Sequence, residues 1–164
     1  MKIDILEEVY LKYYSTLFIY AFSLCNDTHL AQDLTSETFL KAFLSLDSET
    51  TYFKFWLFKV CKNLFVDYVR KNKKYSISQL PTDILSEDSN PEDMVILSEE
   101  KNELMSKIMG LKEFQREVIV LFYYGRFNIE EISKMTGLSK GAVKTTLHRA
   151  RILMRSKMEV ENGL

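Results

Sequence analysis

Chain-breaking residues are scarce: the 164 residues hold 5 Gly and 2 Pro. Both prolines, Pro81 and Pro91, sit in one short stretch. Long tracts on either side carry no proline, and a mainly helical chain is expected. Cysteine is scarcer still, with Cys25 and Cys61 far apart, no CxxC pair and no His beside them. That spacing suits neither a metal site nor a redox pair, and reads as reduced, buried thiols in a cytoplasmic protein. The two histidines, His29 and His148, are also distant in sequence, no Gly-rich phosphate loop occurs, and the acids are dispersed. An enzyme is therefore not expected, nor is a cofactor or a metal. No tract approaches the roughly 18 to 20 uncharged apolar residues needed to cross a bilayer, which argues against membrane insertion. The start, MKIDILEEVYLKYYS, carries acids within its apolar pattern and no small-residue cleavage site, unlike a signal peptide.

What is present is the composition of a globular protein, 46% hydrophobic and 27% charged. Its net charge of -1 hides an uneven distribution. Residues 1–75 hold ten Lys/Arg against nine acids, residues 76–95 none against five, and residues 96–164 twelve against nine. The acidic middle, SISQLPTDILSEDSNPEDMV, has no clear apolar period and reads as a flexible linker, because structureless loops of about twenty residues are uncommon inside compact domains. The expected architecture is all-α: two small helical domains, 1–75 and 96–164, joined by the linker 76–95, with the second ending in a helix-turn-helix.

Helical spacing of apolar residues appears in three tracts of the first domain: about Ile5 to Cys25, Leu30 to Leu46 and Tyr52 to Lys71. Phe18, Phe22, Phe39, Phe43, Phe53, Trp56 and Phe65 are its expected aromatic core, with Phe53, Trp56, Leu57, Val60 and Leu64 the inward stripe of the third tract. In the second domain the tracts are Ser98 to Met109, Lys112 to Tyr124, Ile129 to Met135 and Ser139 to about Met158. Gly110, Gly125 and Gly137 follow three of them and suit helix C-caps.

Ile129 to Ala150 has the spacing of a helix-turn-helix. Ile132 and Ser133 face inward, Gly137 permits a left-handed turn, Ser139 is a natural N-cap, and Leu138, Val143 and Leu147 close a small core. In the last helix, Val143, Leu147, Ala150 and Met154 share a sector of roughly 60°, while Lys144, His148, Arg151 and Arg155 share another, extended by Gly141 and Thr145. Ser139 to Lys157 contains six Lys/Arg and no acid. Ion pairs within that stretch cannot account for those cations. They fit phosphates, while Ser139, Lys140, Lys144, Thr145 and His148 are placed to reach major-groove base edges, so binding of double-stranded DNA is expected.

A second basic region, Lys54 to Lys74, holds seven Lys/Arg against the single acid Asp67, interleaved with Phe55, Trp56, Phe58, Phe65 and Tyr68. Rings beside cations suit unstacked bases, although the helical spacing assigns most of these rings to a core.

Three motifs in order, AQDLTSETFLKAF (31–43), FKFWLFKVCKNLFVDYVRKNKK (53–74) and LKEFQREVIVLFYYGRFNIEEISKMTGLSKGAVKTTLHRAR (111–151), resemble the bacterial extracytoplasmic-function (ECF) sigma factors of the sigma-70 family, the minimal kind with domains two and four only. The resemblance implies a protein that binds core RNA polymerase, through the beta-prime coiled coil and the beta flap, and directs promoter-specific initiation for a stress or envelope response. It implies a polymerase contact at Asp33, Ser36, Glu37, Phe39 and Phe43. It implies minus-10 recognition and melting through Trp56, Lys62, Asn63, Arg70 and Lys71, with the loop Leu46 to Tyr52, including Thr50, Thr51 and Tyr52, capturing a flipped base. It implies minus-35 recognition through Ser139, Lys144, Thr145, His148 and Arg149, with Lys140 and Arg151 as supporting phosphate ligands. An anti-sigma factor is a further implied partner. The chain departs from the family pattern at Phe122 and Thr146, where Arg is common, and at Ser36, where Gln is common. The rival reading is a stand-alone dimeric helix-turn-helix regulator on palindromic half-sites.

Overall fold

The structure is a computed structural model that describes residues 2–45, 52–72 and 99–161. The acidic segment 76–95 and the loop residues Leu46, Thr50 and Thr51 lie outside the described residues. Seven helices and no strand occur among those described: α1 (Lys2–Cys25), α2 (Thr28–Ser45), α3 (Phe53–Lys71), α4 (Glu99–Met109), α5 (Glu113–Tyr123), α6 (Ile129–Thr136) and α7 (Lys140–Glu161). The fold is all-α, and each expected tract became a helix, with boundaries displaced by at most three residues. The chain divides into two compact units, Met1–Asn90 and Pro91–Leu164.

In the first unit α1, α2 and α3 each pack on the other two. Asn26, at a φ of 53°, ends α1, and the Asp27 carboxylate accepts a 3.1 Å hydrogen bond from the Leu30 N–H to cap α2. This tight connection folds α2 back along α1, so that Phe39 meets Tyr10 and Tyr14 at ring distances of 5.0 and 6.3 Å. Leu17, Tyr20, Ala31, Leu34, Leu57 and Phe58 fill the centre. Buried Thr35 and Thr38 donate to the carbonyls of Ala31 and Leu34 at 2.7 and 2.6 Å, so neither hydroxyl is left without a partner. Cys25 and Cys61 are free and buried, and loss of hydration pushes both thiols up to about 12. Thiols held in that form are inert packing groups.

The inward stripe of α3 differs from expectation. Phe53, Leu57, Phe58, Cys61 and Phe65 are buried, while Trp56, Val60 and Leu64 are half-buried at the margin. Phe43 is also outside the core, 45% exposed, because Phe39 and Ala42 already occupy the α2 face toward α1 and α3. Cutting Leu57 to Ala would remove roughly 2–5 kcal/mol from a unit this small.

In the second unit α5, α6 and α7 pack on one another and α4 contacts α5 and α7. Sequence dictates the starts of α5, α6 and α7. The Gln115 side chain accepts from the Lys112 N–H at 3.3 Å. Asn128 and Glu131 form a reciprocal capping box at 2.8 and 3.0 Å. Ser139 Oγ accepts from the Ala142 N–H at 3.1 Å, as its N-cap assignment requires. Gly137, at a φ of 80°, makes the left-handed turn between α6 and α7, and Ser133 Oγ donates to the Leu138 carbonyl at 2.6 Å across it.

Gly110 and Gly125 do not have left-handed backbones; after α5 that conformation belongs to Arg126, at a φ of 56°. Gly125 serves a different need. A Cβ there would come within 2.7 Å of the Phe127 ring and 2.8 Å of the Leu121 carbonyl, so close approach excludes a side chain.

Candidate nucleic-acid and polymerase interfaces

Three of the helix faces outside these cores each have a chemistry of their own. On α2, Asp33, Ser36 and Glu37 are exposed, as the sequence indicates. Phe39 is not: at 5% exposure it packs against α1, so its part is to hold the face rather than to form it. The positions missed from sequence are Leu40 and Leu44, 57% and 75% exposed. At about 100° per residue, Asp33, Glu37, Leu40 and Leu44 fall within a sector of roughly 60°, with Ser36 and Phe43 along one edge. Their signal was legible: both leucines lie out of phase with the Leu34, Thr38 and Ala42 stripe that the core uses.

On α3 the cores of the helix and its outward face separate cleanly. Trp56, Lys59, Asn63, Val66 and Arg70 follow one another along the side opposite Leu57 and Cys61, and Lys59 is a cation the sequence reading passed over. Trp56 lies half-buried, with its ring 5.7 Å from Phe53, which fixes the indole while leaving part of it open. Asn63 and Arg70 are exposed. Arg70 approaches Asp67 at 3.9 Å, but both side chains are largely in solvent, so this pair holds the guanidinium weakly. Half-buried Lys62 and exposed Lys71 lie on opposite flanks of the stripe, each roughly 80–100° from its centre. Tyr52, 78% exposed, stands just before the first turn of α3.

The outward side of α7 carries cations across a broad arc. Lys140, Gly141, Lys144, Thr145, His148, Arg149, Arg151 and Arg155 are exposed, while Val143, Leu147, Ala150 and Met154 are buried. Lys144 and His148 border one side of the arc, Thr145 and Arg149 the other, and Gly141 lies between them with nothing within 4 Å of where its Cβ would be. The structure also accounts for Thr146. It is 7% exposed on the inner side of α7, where an Arg would need to bend out to reach solvent. Arg151 is held: its Nε donates to the Tyr123 hydroxyl at 2.6 Å, and its guanidinium lies 5.3 Å from the Phe122 ring and 5.6 Å from the Tyr123 ring. Tyr123 had no place in the sequence reading, because only the fold brings the end of α5 to α7.

These faces can be set beside known proteins. The model of sigma-70 region 2 matches residues 9–75, and that of sigma-70 region 4 matches residues 101–154. The ECF RNA polymerase sigma factor SigM of Bacillus subtilis (strain 168) is 34% identical over 89% of this chain and 90% of its own length. The chain belongs to the ECF RNA polymerase sigma factors. SigW of the same organism is 29% identical over 89% of the chain and 84% of its length. The solved structure of the sigma factor RpoE, in complex with the anti-sigma factor NepR from Bartonella quintana, shares the fold at a TM-score of 0.70 and 24% identity, covering 94% of this chain and 96% of that one. A sigma factor of this family acts in transcription initiation, and the stand-alone dimeric regulator is set aside. No helix among the described residues is long and apolar enough to cross a membrane.

Proposed function

We propose that this sigma factor divides its work among the three outward faces. The α2 face docks on the beta-prime coiled coil of core polymerase, with Leu40 and Leu44 as apolar anchors and Asp33 and Glu37 as flanking charges. An amphipathic helix that offers carboxylates beside leucines suits a helical protein partner and repels nucleic acid. The α3 face meets the minus-10 region. Unstacking a base costs a few kcal/mol, which a ring beside cations recovers, and Trp56 with Lys59, Asn63 and Arg70 supplies that combination. The α7 face enters the major groove of the minus-35 element, Lys144, Thr145, His148 and Arg149 reaching base edges and phosphates, with Ser139 and Lys140 at its leading end. The second unit also meets the beta flap.

The observation that carries this reading is the segregation of charge: carboxylates with leucines on α2, and cations without a carboxylate on α7 from Lys140 to Lys157. Two modules on one chain gain affinity through effective concentration when polymerase sets their separation. The free protein therefore binds promoters weakly, and the holoenzyme binds them specifically. An anti-sigma factor that covers these faces would keep the protein cytoplasmic and silent until a stress or envelope signal releases it; the neighbour solved with NepR makes this class of partner the one to seek. The test is transcription in vitro with core polymerase and a genomic fragment library, mapped at start sites. Start sites sharing two spaced elements are expected. Tight promoter protection by the protein alone, unchanged by added polymerase, would overturn the proposal.

A further inference from the structure

Arg151 differs from the other α7 cations in being fixed by groups from another helix. Tyr123, at the end of α5, takes the Nε hydrogen in a 2.6 Å bond, and Phe122 and Tyr123 set two rings against the guanidinium at 5.3 and 5.6 Å. The rings meet edge to face at 78° and 5.1 Å, so they form a corner rather than a flat stack. A guanidinium has five N–H donors in a rigid plane. Tyr123 uses the one on Nε, and the four on the two terminal nitrogens are left for the fork geometry that matches a phosphate. Arg151 is exposed and lies in the same arc as Lys144 and His148.

We propose that Tyr123, with Phe122, is a positioning residue that presets Arg151 as a bidentate phosphate ligand beside the promoter-reading face of α7. The idea rests on α7 facing DNA. It gives Phe122 a use that its departure from the family pattern hid: in place of a second arginine, the chain puts a ring that steers the first. An arginine fixed before binding loses less freedom when it grips its ligand, so affinity is gained without an added contact. Lysine at 151 would keep the charge but lack both the Nε bond and the fork.

The experiment uses the full chain with core polymerase and a labelled duplex carrying a promoter mapped in the library transcription, with affinity measured over a series of salt concentrations. Tyr123→Phe should weaken binding about fivefold, with unchanged thermal stability and a nearly unchanged salt slope, because the cation remains. Arg151→Ala should weaken it about tenfold and lower the salt slope by roughly one. Adding Tyr123→Phe to Arg151→Ala, or to Arg151→Lys, should change nothing further. If Tyr123→Phe weakens binding equally in wild type and in Arg151→Ala, or has no effect in either, the positioning role is wrong. Lys144→Ala separates the two levels: if it weakens binding while Tyr123 and Arg151 act additively, this inference alone fails. If Lys144→Ala is also silent, the assignment of α7 to DNA fails and takes this inference with it.

Discussion

The outer faces of α2 and α7 are both exposed and both helical, yet they are built from opposite materials. On α2, Asp33 and Glu37 sit in line with Leu40 and Leu44. On α7, Lys144, His148, Arg149 and Arg151 surround Gly141 and Thr145, and no acid occurs from Ser139 to Lys157. A single exposed leucine is ordinary on a protein surface. Two on one face, with Phe43 at its edge, form the beginning of a patch whose removal from water can drive association. Cations without acids offer little to a protein core but release counterions on binding a phosphate backbone. The face of α3 lies between these extremes, with the half-buried Trp56 in line with Lys59 and Arg70.

The largest way to break this contrast is to replace the α2 anchors. Leu40→Asp together with Leu44→Asp should reduce core polymerase affinity by at least about 100-fold, with helicity and melting temperature retained because both side chains are already in solvent. Equilibrium binding with labelled sigma factor checks this. Next, Lys144→Ala with Arg149→Ala should lower minus-35-dependent transcription by about 10 to 30-fold and flatten its salt dependence by roughly two units of slope, while polymerase affinity stays within about twofold. Loss of polymerase binding instead would move α7 out of the DNA-facing role. Asn63→Ala should slow open-complex formation about tenfold on duplex promoter and much less on a template melted in advance, since the second needs no unstacking. Equal defects on both templates would contradict a melting role for α3. The smallest effect concerns Gly141. Ala there meets no neighbour and is the better helix former, so it should raise the melting temperature slightly, yet weaken promoter binding a few-fold by filling the space between Lys144 and Arg149.

Much of the fold is legible in the sequence alone, and what is legible shares a cause. Local chemistry set the turn at Gly137, the cap at Ser139 and the inward stripe Val143, Leu147, Ala150 and Met154, so periodicity and capping rules were enough for α7. What was not legible depends on which helices surround a given one. In α3 both Phe53, Trp56, Val60, Leu64 and Phe53, Leu57, Cys61, Phe65 keep helical spacing, and only packing against α1 and α2 chooses the second. Phe43 looked as apolar as Phe39, but α1 covers one and leaves the other at 45% exposure. Composition does not mark Leu40 and Leu44, because a surface anchor and a core residue can be the same residue type; only their phase against Leu34, Thr38 and Ala42 sets them apart. For Arg151, which the resemblance implies as a supporting phosphate ligand, the restraint is hidden because its partner Tyr123 is 28 positions away. Exposure was thus easier to read for the charged residues of the three faces than for the apolar ones.

The most direct measurement is site-specific photo-crosslinking from a single assembled promoter complex, with a photoreactive amino acid in place of Leu40, Asn63 or Thr145 in three separate proteins. The account predicts that position 40 labels the beta-prime subunit, position 63 the non-template strand at the minus-10 region, and position 145 the minus-35 duplex. Labelling of DNA from position 40, or of polymerase alone from position 145, would contradict it.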